Sequence, residues 1–153
     1  MRISRTEQAM RIAEVISLRG TCGRLQVGCV ITVNGRIVTT GYNGPPAGAP
    51  HCRAPYCDQS KSCLRALHAE VNAIGFAAAE GLSLRGGTLY CTYAPCEKCA
   101  QLIKASGIAM VYYRHPFRDM DGVEYLENHG VPVSQLTERD GEEEPIQDNQ
   151  QTV

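Results

Sequence analysis

With 153 residues, 43% of them hydrophobic and 20% charged, the chain can bury one sizeable core and is short for two domains. No stretch approaches the ~18 apolar residues of a membrane-spanning helix, and Met1-Arg2-Ile3-Ser4-Arg5 leads into an amphipathic segment instead of an apolar export signal, so a membrane protein and a secreted precursor are excluded and a cytoplasmic chain is expected. The net charge of −1 hides an asymmetry: six acids against Arg139 leave residues 138–153 at −5 and the remainder at +4, compatible with a phosphorylated small molecule and short of the dense basic stripe of a nucleic-acid-binding protein.

In chain order, Ala9, Ile12, Ala13 and Ile16 recur at helical spacing between Ser4 and about Arg19, and Gly20 supplies a stop. Gln26 to Val33 and Arg36 to Gly41 are β-branched runs joined by Asn34-Gly35, the dipeptide suited to two consecutive positive φ angles, and read as a hairpin. Residues 41–64 are rich in proline and glycine and hold Cys52, Cys57 and Cys63, with too little apolar periodicity to bury an element unaided. So long a loop needs a function or a staple. A second helix carries the stripe Leu67, Val71, Ile74 and Ala78 and closes at Gly81. Gly86 to Tyr93 reads as a strand, and Pro95 suits the first turn of a third helix that bears Leu102 and Ile103 and ends at Gly107. Ile108 to Arg114 is again a strand, Asp121 to Asn128 a fourth helix and Val131 to Leu136 a last strand. The order αββαβαβαβ predicts an α/β domain over residues 1–137, a five-stranded mixed sheet with a parallel second half and helices on its faces, followed by a disordered acidic tail at 138–153.

Eight cysteines without an export signal point to metal or catalytic sulfur, not to a disulfide scaffold. The most informative pieces are His68-Ala69-Glu70 and Pro95-Cys96-Glu97-Lys98-Cys99, both at predicted helix starts. Cys96 and Cys99, three apart, face one side of a helical turn, where unpaired N–H groups and the helix dipole stabilise thiolates. His68 adds an imidazole, and three protein ligands leave the fourth tetrahedral position of a zinc ion open, as a catalytic metal requires. A bare Cys-x-x-Cys also reads as a redox pair or a structural knuckle, and Cys91 is a sequence-local fourth ligand for a closed site. The upstream His-Ala-Glu and Pro95 favour the catalytic reading, matching the H-x-E…P-C-x-x-C signature of zinc nucleobase deaminases.

The chain resembles the cytidine and deoxycytidylate deaminase family, and more closely its deoxycytidylate branch, from about Thr6 to Val133. The resemblance rests on Thr21-Cys22-Gly23-Arg24 with Val27-Gly28, on Thr40-Gly41-Tyr42-Asn43-Gly44-Pro45-Pro46, on His68-Ala69-Glu70-Val71-Asn72-Ala73-Ile74, and on Thr88-Leu89-Tyr90-Cys91-Thr92-Tyr93-Ala94-Pro95-Cys96. It implies a three-layer cytidine-deaminase-like fold and zinc-dependent hydrolysis of dCMP to dUMP and ammonia, with Glu70 carrying protons from the attacking water to N3 of cytosine and then to the leaving amine. It implies too that the Ala69 N–H holds the pyrimidine O2, that the carbonyl of Ala94 or Pro95 accepts from the amine, and that Asn43 meets the sugar. Arg24, Arg114 and Arg118 are candidates for the 5′-phosphate, whose paired oxygens suit a guanidinium fork, and Phe117 for stacking on the base. Against these stand plainer readings: Asn43 as a turn residue beside Gly44, each arginine as surface charge, Phe117 as packing under the last helix. His115 and His129 have no ligand spacing.

His51, Cys52, Cys57 and Cys63, with Cys22 in reserve, are a candidate ligand set for a second, structural zinc stapling the long loop, as some members of the branch, notably phage ones, carry; free reduced thiols are the alternative. Gly41-Tyr42-Asn43-Gly44 is the candidate regulatory loop, since its glycines would let a phosphate or ribose approach, and the branch is activated by magnesium-bound dCTP and inhibited by dTTP. The resemblance also implies a homo-oligomer, hexamers being common, with no membrane or stable nucleic-acid partner, in the cytoplasm or, for a viral chain, the host cytoplasm. Two rivals stay open: deamination of another cytosine or adenine substrate (dCTP, deoxycytidine, a tRNA base), and a catalytically silent zinc-binding interaction module in which Glu70 is idle.

Overall fold

The computed structural model describes residues 2–52, 63 and 65–141. Its elements are α1 (Arg5–Ser17), β1 (Gly28–Val33), β2 (Arg36–Tyr42), α2 (Ala69–Ala79), β3 (Thr88–Tyr93), α3 (Glu97–Ala105), β4 (Met110–His115), α4 (Asp121–Asn128) and β5 (Val133–Gln135). The strands lie in the order β2-β1-β3-β4-β5; β1 is antiparallel to β2 and β3, and β3, β4 and β5 are parallel. The mixed sheet is thus as expected, its parallel half built by the α3 and α4 crossovers. In the hairpin, Asn34 and Gly35 take φ of 51° and 72°, the pair of positive angles that matches the strand twist.

Alternation along the strands splits the core between two faces. Val30 and Tyr90 pack with Ala9, Met10 and Ala13 of α1, whereas Cys29, Ile31, Leu89 and Cys91 face the other way, among Ala73 and Ile74 of α2, Ala100 and Ile103 of α3 and Leu126 of α4. Three layers result, with one helix on one face and three on the other.

Several boundaries differ from the sequence expectation for local reasons. β1 starts at Gly28 because the Val27 N–H is spent on Asn43 Oδ1 (2.8 Å) and the Gln26 side chain on the carbonyl of Gly20 (3.0 Å). α3 starts after Cys96, whose ψ of 167° makes it an extended N-cap; Pro95 therefore precedes the helix instead of lying in its first turn. α2 buries Ala69, Glu70, Ala73, Ile74 and Ala77, so of the expected Leu67, Val71, Ile74 and Ala78 stripe Ile74 alone is buried. Leu67 lies before the helix, exchanging backbone hydrogen bonds with Gly44 (3.1 and 2.8 Å), and the alanine face lets α2 settle on the β2 backbone at Gly41. The acidic segment begins with a 3₁₀ turn, Glu138–Gly141, where Asp140 Oδ2 accepts from the Thr137 N–H and hydroxyl at 2.6 and 2.7 Å. Residues 142–153 lie outside the described residues.

Arg114, a candidate phosphate ligand in the sequence, is instead a buried tie. Its guanidinium donates to Glu7 Oε2 and Glu14 Oε1, both at 2.9 Å, and to the carbonyls of Leu136 (3.4 Å) and Thr137 (3.2 Å). It fastens α1 and the segment after β5 to β4, and four of its five N–H donors are spent on these partners.

Candidate functional site

The site gathers where α2 and α3 begin. His68 is the N-cap of α2 and Cys96 the N-cap of α3, and neither side chain caps its own helix, so both are available to project from it. Cys99 follows one turn into α3 and is 1% exposed. The His68 Nδ1 lies 3.6 Å from Cys96 Sγ and 3.3 Å from Cys99 Sγ. Tetrahedral zinc with Zn–S near 2.3 Å and Zn–N near 2.0 Å spaces nitrogen and sulfur by about 3.5 Å, which both distances match, and all three ligand atoms lie within 4.8 Å of one another. They are the one His/Cys/acid group with metal-ligand spacing among the described residues.

Electrostatics supports the same assignment. A hydrogen bond from Cys99, reinforced by His68, holds the Cys96 thiol down to about 3, while the same bond and burial push Cys99 up and the Cys96 bond raises His68. The trio thus favours the thiolate form of Cys96, the form in which cysteine ligates a metal. Glu70, in the first turn of α2 and 4% exposed, has its carboxyl raised chiefly by burial. Burial thus makes it a stronger base than an exposed carboxylate, as a group that takes up and passes on protons requires.

His68, Glu70 and Cys96 line one cavity of about 690 Å³, of small-molecule size, whose walls include Arg24, Asn43, Ala69, Tyr93, Ala94, Phe117 and Arg118. Ala69 is the first residue of α2, so its N–H has no intrahelical acceptor. Asn43 shares the wall, but its amide already accepts from the Val27 N–H and donates to the Leu25 carbonyl (2.7 Å), which shapes the 25–27 segment. Arg118 sits with its guanidinium carbon 5.6 Å from the centroid of the Phe117 ring, so the two form one unit at the rim.

Pro95 is fully buried and absent from the cavity wall, with its carbonyl oxygen against the α-carbon of Gly122; Ala94 alone of the two presents itself to the cavity. Gly41 and Gly44 of the 41–44 loop are also closely packed by protein: a Cβ on Gly41 would strike the Ala69 carbonyl and sit 2.6 Å from Ala73 N, and one on Gly44 would sit 2.7 Å from Thr21 Oγ1. Of the loop cysteines, Cys22 and Cys63 line the cavity, while Cys57 lies outside the described residues; His51, Cys52 and Cys63 join no metal-spaced trio among those described. His115 and His129 pack on Tyr93 and Tyr125, with ring centroids at 5.2 and 4.1 Å. The sequence reading passed over Tyr93, although its place at the carboxyl end of β3, where open α/β sheets bind ligands, was a usable signal.

Residues 3–115 match the family model for the cytidine and deoxycytidylate deaminase zinc-binding region. Over 141 residues the chain is 37% identical to the ComE operon protein 2 of Bacillus subtilis (strain 168), covering 88% of this chain and 72% of that one. It is 32% identical over 165 residues to the deoxycytidylate deaminase of Enterobacteria phage T2, covering 81% and 88%. The dCMP deaminase of cyanophage S-TIM5, in complex with dCMP and dUMP, has the same fold at a TM-score of 0.81 and 34% identity, covering 89% of this chain and 99% of that one.

Proposed function

The chain belongs to the cytidine and deoxycytidylate deaminase zinc-binding family, and from that premise we propose that it hydrolyses dCMP to dUMP and ammonia. The observation carrying this reading is the buried Glu70 carboxyl beside the His68, Cys96 and Cys99 trio at one nucleotide-sized cavity. Zinc, when bound by those three residues, supplies the Lewis acidity that makes an attacking water acidic near neutral pH. Glu70 takes the proton of that water and delivers it to N3 of cytosine, which makes C4 electrophilic. The hydroxide left behind attacks C4, and Glu70 takes the remaining proton of the new C4 hydroxyl and passes it to the exocyclic amine, so that the C4–N bond breaks, ammonia leaves and the C4 carbonyl of uracil forms. The Ala69 N–H orients the pyrimidine by O2, and the Ala94 carbonyl accepts from the amine. At the rim, Arg24 and Arg118 receive the 5′-phosphate, Phe117 stacks on the base, and Asn43 offers its remaining amide hydrogen and lone pair to the sugar.

The finer parts of the reading rest on likeness to the deoxycytidylate branch. They are activation by magnesium-bound dCTP and inhibition by dTTP through Gly41, Tyr42, Asn43 and Gly44, a second zinc on His51, Cys52, Cys57 and Cys63, and action as a cytoplasmic homo-oligomer, a hexamer. The exposed apolar side chains Ile37 and Phe76 beside the β2 edge suit burial between copies. No helix among the described residues is long and apolar enough to cross a membrane.

Ammonia release measured over dCMP, dCTP, deoxycytidine, free bases and RNA tests the substrate. The expected result is dCMP preferred, and Glu70→Gln losing several orders of magnitude in rate, on the order of 10³-fold or more, with zinc retained. Preference for another member of the panel overturns the substrate; undiminished turnover in Glu70→Gln, or none in the wild type, favours the silent module.

A further inference from the structure

The start of α4 is set directly on the peptide that carries a metal ligand. Gly122, buried in the first turn of α4, has no room for a side chain: a Cβ there would strike the Pro95 carbonyl oxygen and lie 2.6 Å from the carbonyl carbon and 2.7 Å from the carbonyl oxygen of Cys96. All three atoms are backbone, so no side-chain rotation relieves the contact. On its other side the 94–96 segment is held by the Ala94 N–H, which donates to the His115 carbonyl at 2.9 Å, and by the Cys96 carbonyl, which accepts from the Ala100 N–H at 2.9 Å. The segment is therefore gripped between β4, α3 and the bare α-carbon of Gly122. Leu126, 0% exposed one turn along α4, anchors the helix in the core behind this contact.

We propose that Gly122 is a positioning residue for the deamination site: its missing side chain lets α4 press on the Pro95–Cys96 peptide. That pressure keeps the Pro95 carbonyl away from the cavity, leaves the Ala94 carbonyl facing it, and sets the Cys96 sulfur at its spacing from His68 and Cys99. The proposal rests on the deaminase reading of the site. It differs from a packing role in kind, since it predicts that a folded variant carries a displaced ligand and a displaced amine acceptor. A displacement near 1 Å at such groups costs about a hundredfold in rate.

The experiment compares wild type, Gly122→Ala and, as control, Gly75→Ala, whose added Cβ meets nothing within 4 Å. Steady-state kinetics on dCMP are measured with zinc in excess, beside the thiolate charge-transfer and d–d absorption of the cobalt-loaded protein and the rate of zinc release to a chelator. Gly122→Ala is expected to lose about ten- to a hundredfold in kcat with KM within about twofold, to show an altered cobalt spectrum, and to release zinc faster, while Gly75→Ala matches wild type. A folded Gly122→Ala with wild-type kcat, spectrum and release rate overturns the proposal. If that variant does not fold, Leu126→Val decides in its place: lower kcat with faster zinc release in the folded protein supports the positioning role, and wild-type values overturn it. Wild-type protein that deaminates no cytosine nucleotide defeats the deaminase reading instead, and the cobalt and release measurements still report on Gly122.

Discussion

Replacing Arg114 with methionine should weaken the fold and leave the chemistry intact. The arginine side chain is 8% exposed and its Glu7 partner 6%, so their ion pair sits out of water, whereas Glu14 is 42% exposed. Methionine keeps most of the stem volume but abandons the Glu7 carboxylate and the carbonyls of Leu136 and Thr137. Removing one member of a buried pair costs about 3–5 kcal/mol. Arg11, 58% exposed, still bonds Glu7 at 2.7 Å and water reaches Glu14, which places the loss at the lower end, about 3 kcal/mol. At about 2–4 °C per kcal/mol for a chain of this size, the melting temperature should fall by about 6–12 °C. Burial raises the Glu7 carboxyl, but Arg11 and Arg114 more than offset it, so its folded value lies below the ordinary one. Its contribution is therefore present above the ordinary carboxylate value and is lost as pH falls through the folded value, so the gap between the two proteins should narrow below about pH 4. Calorimetry across pH, with dCMP kinetics alongside, measures both. An unchanged melting temperature with a raised KM would refute the tie and restore Arg114 as a phosphate ligand.

Cys99→Ala should lose one zinc per chain and activity together, since two ligands do not hold the ion; elemental analysis finding the full wild-type zinc content in this variant would contradict the site. Gly41→Ala must lift α2 from β2 and should cost about 1–3 kcal/mol and slow turnover through Glu70, whereas full stability by denaturant titration would show that the close approach is not needed. Wild-type protein should hold about two zinc ions per chain if the loop cysteines form a closed site, and Cys57→Ser should then remove about one; native thiol titration with all three loop cysteines reactive argues for the free-thiol alternative.

The element order was legible because the signals were local. Asn34-Gly35 dictates its turn from two residues, and Asp121–Asn128 has acids in its first turn and a positive-φ glycine, Gly130, just past its end. The zinc trio was legible because two helix N-termini carry it in short motifs. What escaped the sequence depends on contacts between distant segments. Nothing near Arg114 announces that Glu7 and Glu14, a hundred residues earlier, will meet it. The α2 stripe was displaced because helical periodicity ranks leucine and valine above alanine, while the real constraint was a backbone-close seat on Gly41 that only alanine permits. Pro95 was read as a helix start because proline favours that position, yet an extended cap at Cys96 was needed to aim a sulfur.

The paired hydrogen bonds between Gly44 and Leu67 close a neck at the base of everything between them. His68 hangs from the inner side of that clasp, so its place is set by the neck and not by the length of chain beyond it. Closure entropy rises by only about 0.6 kcal/mol for each doubling of loop length, so the clasp tolerates changes in the number of residues between its two ends. A shorter, longer or metal-free insert could be exchanged there by evolution or by an engineer, with new rim chemistry for a new substrate and the same proton-transfer machinery underneath.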